Sequence, residues 1–84
     1  MTAEFKMVRA AVALRLGIEE DEIFSECAFA DDLGATSLDI FAVLADLEAK
    51  TGLDLRTELA GGIYTVGDAV NCVVSARKSE GKRR

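Results

Sequence analysis

The sequence predicts an all-α fold, and three observations carry that expectation. Proline is absent from all 84 residues. Apolar side chains recur at i, i+3, i+4 and i+7 in several stretches, and glycines stand where those stretches lapse. Strand-like alternation is missing even among the β-branched residues near the C-terminus, where the 3.6 period fits better.

The first helix runs from about Ala3 to Leu16, with Phe5, Val8, Val12 and Leu16 at helical spacing and Gly17 where a helix C-cap wants it. From Ile18 to Ala35 the pattern lapses. The acids Glu19, Glu20, Asp21 and Glu22 read as solvated, and Ile23, Phe29 and Leu33 stand singly as anchors, so this is a long loop pinned to a core. A loop of that length in a small domain is uncommon and often functional. The second helix opens at Ser37, because Thr36 and Asp39 stand in the i, i+3 relation of a capping box, and it stops at Gly52.

A short third helix of one turn is expected over Arg56 to Ala60, closed by Gly61-Gly62. Thr65 and Asp68 repeat the capping device and open a last helix, whose stripe is Val66, Ala69, Val70, Val73 and Val74. That helix is expected to end near Arg77 and Lys78, whose charges suit a helix C-terminus. The sum is a four-helix bundle with three long helices and one short third helix. Its expected core is Phe5, Val8, Val12, Leu16, Phe29, Leu33, Val43, Leu44, Leu47, Val70 and Val74.

At this length the chain is one domain, burying roughly 60 to 65% of its unfolded surface. The domain is expected over residues 1–77, with 78–84 a basic flexible tail. Residues 1–76 carry 5 basic and 14 acidic side chains, net −9, whereas 77–84 carry 5 basic and 1 acidic, net +4. The strongly acidic body repels nucleic acid and anionic lipid and is steered toward basic protein surfaces. No apolar stretch approaches the roughly 18 residues of a membrane span, and the first residues show no secretory h-region, so a cytoplasmic protein is expected. Cys27 and Cys72 lack the spacing of a redox or metal motif and are expected as free, buried thiols. With no histidine, a Ser-His-Asp or Cys-His nucleophile is excluded, as are the commonest zinc sites. The acids at 19–22 and 31–32 lack the alternating ligands, central glycine and terminal glutamate of a calcium loop.

The informative stretch is Asp31-Asp32-Leu33-Gly34-Ala35-Thr36-Ser37-Leu38-Asp39. If Thr36 is the N-cap, its hydroxyl satisfies a first-turn amide, and Ser37 at the first helical position has no structural task. An exposed hydroxyl there sits where amides and the helix dipole favour a phosphate. On physics alone an incidental helix-start serine is the simpler reading, and only the flanking pattern lifts Ser37 above it. With Ser37 set at 0° and ~100° per residue, Ile40, Val43, Leu44 and Leu47 fall between ~240° and ~340°, the core face. Leu38, Phe41 and Ala45 form a second apolar strip between ~40° and ~100°. That strip either packs against the third segment or the long loop, or is an exposed patch suited to partner docking.

Residues 31–39, the helix ending Leu47-Glu48-Ala49-Lys50-Thr51-Gly52, and the later Ile63-Tyr64-Thr65-Val66-Gly67-Asp68 together resemble the acyl carrier protein family. The resemblance covers the chain from about Phe5 to Ser75, and its Leu-Gly-x-x-Ser-Leu-Asp core is specific. It implies a carrier that performs no chemistry of its own, in fatty-acid, polyketide or other lipid metabolism. Ser37 matches the serine that receives 4'-phosphopantetheine from a separate phosphopantetheinyl transferase in a magnesium-dependent reaction, after which acyl chains ride on the arm as thioesters. Leu38 and Asp39 match positions that contact the transferase and later partners. Phe41, Ala45, Asp46 and Glu48 lie on or beside the family's recognition helix, and Ile63 matches an apolar position bordering the cavity for a bound chain. Besides the transferase, the implied partners of this monomer are an acyl-loading ligase or synthase and downstream acyl-processing enzymes.

Departures from the family pattern point to a specialised carrier. Thr36 stands where most fatty-acid carriers have Asp, Ala42 where Glu is common, and Lys50 where an acid is common. Gly61-Gly62 implies a looser third segment. The alternative is an acidic helical protein-interaction module that is never modified.

Overall fold

Helix ends in this chain are set by side chains that satisfy amides the helices cannot satisfy themselves. The computed structural model describes residues 2–55 and 62–82. Among them are α1 (Ala3–Leu16), a 3-10 turn (Glu20–Glu22), α2 (Ser37–Thr51) and α3 (Val66–Lys82), with no strand. α1 packs against both α2 and α3. Thr2 opens α1, its hydroxyl accepting from Phe5 N at 3.1 Å. Gly17, at φ 68°, returns its N–H to the Ala13 carbonyl and closes it. Before α2 the Thr36 hydroxyl accepts from Asp39 N at 3.2 Å while Asp39 Oδ2 accepts from Thr36 N at 2.9 Å, the reciprocal box that the spacing predicts. Asp68 does the same for Thr65 before α3 and also accepts from Tyr64 N at 2.9 Å.

The far end of α3 differs from expectation. The helix continues to Lys82, past Arg77 and Lys78 and into residues assigned to the tail. Basic side chains stabilise a helix C-terminus without stopping a helix, and no glycine or proline lies between Gly67 and Gly81. Arg77 Nη1 also donates to Glu4 Oε2 at 2.7 Å, holding this stretch of α3 to the first turn of α1. The short third helix expected over Arg56 to Ala60 lies outside the described residues.

The core draws Val8, Ala11 and Val12 from α1, Val43, Leu44 and Leu47 from α2, and Val66, Ala69, Cys72 and Val73 from α3. Ile23, Phe29, Ala35, Leu53 and Leu55 add to it from the connecting segments. Full burial of such Val, Leu, Ile and Phe side chains contributes about 1.5 to 3 kcal/mol each. Phe5, Leu16, Leu33 and Val70, expected inside, are only partly buried at its edge, and Val74 is half-buried outside it. The apolar stripe of α3 is wider than its contact with α1. Packing takes the flank carrying Ala69 and Cys72 and leaves Val70 and Val74 toward the rim. Neither cysteine is in a disulfide, and Cys27 is half-buried rather than buried.

The long segment after α1 is fastened to the start of α3. Gly67 N donates to Ser25 O at 2.8 Å, Val66 N to Cys27 O at 2.9 Å, and Phe29 N to Tyr64 O at 2.9 Å, around an isolated antiparallel bridge between Ala28 and Thr65. A Cβ on Gly67 would sit 3.1 Å from the Ser25 carbonyl, so glycine permits this close approach. Asp32 Oδ2 accepts from Ala28 N at 2.7 Å, and Gly34, in the left-handed region at φ 67°, turns the chain into α2. The segment is therefore a clasp, whose anchors Ile23 and Phe29 are buried as expected. Among the described residues no helix is long and apolar enough to cross a membrane.

Candidate functional site

Ser37 is the first residue of α2 and is exposed. Because the Thr36 hydroxyl performs the capping, that of Ser37 makes no hydrogen bond among the described residues. Thr36 Oγ1 takes the Asp39 amide, and the amides of Ser37 and Leu38 have no intrahelical acceptor, so they remain to face an anion. The hydroxyl stands at the edge of a cavity of about 240 Å³ lined by Ser37, Ile40, Phe41, Gly62 and Ile63. Ile63, far from Ser37 in sequence, reaches this place because its neighbour Tyr64 is clasped twice. The Tyr64 carbonyl accepts from Phe29 N, and the Tyr64 hydroxyl donates to Asp31 Oδ2 at 2.7 Å.

Around the serine the surface is apolar. Leu38 is 74% exposed, Phe41 is 51% exposed, and Ala45 is exposed one turn further on. Phe41 also borders the cavity, and the third segment against which this strip could pack lies outside the described residues.

The acids of α2 are engaged within the chain. Asp39 Oδ2 accepts from the Thr36 amide and hydroxyl, and Asp39 Oδ1 accepts from Arg15 Nε at 3.1 Å. The Thr36 amide, with help from Arg15, holds the Asp39 carboxyl below the usual carboxylate range. Asp46 pairs with Lys50 at 3.1 Å and lines a different groove, of about 300 Å³, between α1 and α2 with Leu14, Arg15 and Ala42. Glu48 accepts from Leu55 N at 2.8 Å, tying the end of α2 to the segment after it.

The structure thus brings Ser37, Phe41 and Ile63 to one cavity and sets Leu38 and Ala45 on the exposed strip. Asp46 stands apart on the α1 side. Two contributors escaped the sequence reading. Ile40, assigned to the core face, lies one turn along α2 from Ser37 and lines the cavity. Arg15 carries no local signal of its contact with Asp39, since only the packing of α1 on α2 joins them.

Among the described residues, no side chain is hydrogen-bonded to the Ser37 hydroxyl as a base. The chain has no histidine, and the nearest carboxylate in sequence, Asp39, accepts from Thr36 and Arg15 and is more acidic than usual, hence a poor proton acceptor. No known protein-family model matches the chain.

Proposed function

We propose that this chain is an acyl carrier protein whose Ser37 bears a covalent 4'-phosphopantetheine arm. The observation that carries the reading is the pattern of residues 31–39 around Ser37, whose hydroxyl is exposed at the first position of α2, relieved of capping by Thr36, and beside an apolar cavity. The bound arm would supply a thiol that holds acyl groups as thioesters. Ser37 contributes its oxygen to the linking phosphodiester, and a separate transferase supplies the base and magnesium. The first-turn amides and the α2 dipole stabilise the phosphate charge. Ile40, Phe41 and Ile63 offer apolar surface beside the point where the arm is attached, to an acyl chain folded back along the arm. The same reading expects the short helix over Arg56 to Ala60 that completes a four-helix bundle, and a cytoplasmic place of work.

The carrier is a specialised one, serving a dedicated ligase or synthase rather than general fatty-acid synthesis. Support comes from the recognition helix: Asp39, Asp46 and Glu48 all have partners within the chain, while Leu38 and Phe41 are exposed.

Incubation with coenzyme A, magnesium and a broad-specificity phosphopantetheinyl transferase should add the mass of one arm to the intact protein, and Ser37→Ala should abolish the gain. A chain that gains no mass would be the unmodified interaction module instead. Gain of the same mass by Ser37→Ala would move the site elsewhere.

A further inference from the structure

We infer that Arg15 is an intramolecular competitor for the acid beside Ser37, and so sets how strongly a basic partner can dock at the modification site. The inference rests on the carrier reading and deepens it. Asp39 is two residues from Ser37, and only one edge of its carboxylate can face a partner, because Oδ2 is committed to the Thr36 amide at 2.9 Å and hydroxyl at 3.2 Å. The other oxygen, Oδ1, already accepts from Arg15 Nε at 3.1 Å. Capping holds the carboxylate in place, so Arg15 meets a fixed acceptor, whereas an exposed pair usually spends ordering entropy on both side chains.

A cation arriving on a partner must therefore displace Arg15 or share Oδ1 with it. Arg15 can be displaced, since about half of its side chain faces solvent. The next acid along this side of α2, Asp46, is likewise paired, with Lys50 at 3.1 Å. Both acids that face α1 thus carry an internal cation. The surface left for first recognition is the neutral apolar one of Leu38 and Phe41, and long-range steering by Asp39 is muted.

The test follows loading of apo protein by a broad-specificity phosphopantetheinyl transferase with coenzyme A, across a salt series. Wild-type loading at Ser37 comes first: without it the carrier reading falls, and this inference with it. Given loading, Arg15→Gln should lower the KM for the carrier about two- to fivefold with kcat unchanged, the range of one exposed ion pair. It should also steepen the dependence of kcat/KM on salt. Arg15→Lys, which keeps the competing charge, should stay near wild type, and in an Asp39→Asn background the Arg15→Gln gain should vanish. A lesion that merely loosened α1 would lower kcat/KM in either background and leave the salt slope alone. An unchanged or raised KM for Arg15→Gln, with loading intact, overturns this inference while leaving the carrier reading standing. Arg15→Met, which keeps the methylene stem, serves as a second neutral variant. If neither neutral variant folds, the pair is structural and the inference is overturned.

Discussion

The Tyr64 hydroxyl donates to Asp31 Oδ2 at 2.7 Å, joining the segment that leads into α3 to the loop that leads into α2. Tyr64 follows Ile63, which lines the Ser37 cavity, and Asp31 begins the segment that leads into Ser37. The contact makes the positioning of the cavity wall measurable.

Hydrogen bonding to Asp31, and the negative charge of Asp31 beside it, raise the Tyr64 phenol above its ordinary value. Tyr64 is the only tyrosine and there is no tryptophan, so ultraviolet absorbance reads its ionisation alone. Asp31→Asn should bring the midpoint back down toward the ordinary phenol value. The sign follows from charge: a phenolate opposed by a carboxylate is disfavoured, and removing the carboxylate relieves it. A midpoint that does not move would mean the pair is not formed in solution.

Core truncations test the helix phases. Leu47, with no exposed surface, should cost roughly 2 to 5 kcal/mol on change to Ala. In α3 the informative comparison is between neighbours: Val73→Ala should destabilise clearly more than Val74→Ala, since Val73 is fully buried and Val74 is not. Urea unfolding measures both. Equal losses would restore the phase expected from the apolar stripe alone.

Acid should weaken the fold through its caps. Backbone amides of Thr65 and Tyr64 lower the Asp68 pKa, the Thr36 amide and Arg15 lower that of Asp39, and a backbone amide and Arg77 lower that of Glu4. In each case the unfolded chain binds the proton more readily, so the stabilisation is present above the unfolded carboxylate pKa of about 4 and is lost as pH falls through the lower folded value. Urea midpoints between pH 7 and pH 2 should fall in that window. Asp68→Asn should lower the neutral-pH midpoint and flatten the acid limb. An unaltered acid limb would show that the Asp68 cap does not contribute.

Exchangeability tests the specialised carrier. Enzymes that use carrier proteins generally present basic patches, and Ala42 and Lys50 remove or invert charge that would answer them. The loaded protein should be a poor substrate for a generic fatty-acid condensing enzyme, and the double change Ala42→Glu with Lys50→Glu should improve it. Lys50→Glu acts twice, since it also releases Asp46 from its partner. Turnover equal to that of a housekeeping carrier, at low and moderate salt alike, would sink the idea.

Features set by near neighbours along the chain were legible in the sequence. A capping box needs only residues three apart, and a helix C-cap needs only a glycine after an apolar run, so the bounds of α1 and α2, the start of α3 and the exposed first-turn position of Ser37 could be read before any packing was known. The apolar arc of α2 put Val43, Leu44 and Leu47 inward, and they are buried. What periodicity leaves open is how much of an apolar stripe a neighbouring helix will cover. Tertiary contact therefore decided that Val73 and Cys72 are buried while Val74 is half-buried, and that Leu38 and Phe41 stay exposed. It also decided every relationship between distant residues at the site: Ile63 beside Ser37, Tyr64 on Asp31, and Arg15 on Asp39. These contacts pair groups that attract any complementary neighbour, so no local pattern singles out the partner, and only the packing of α1, α2 and the clasp brings each pair within reach.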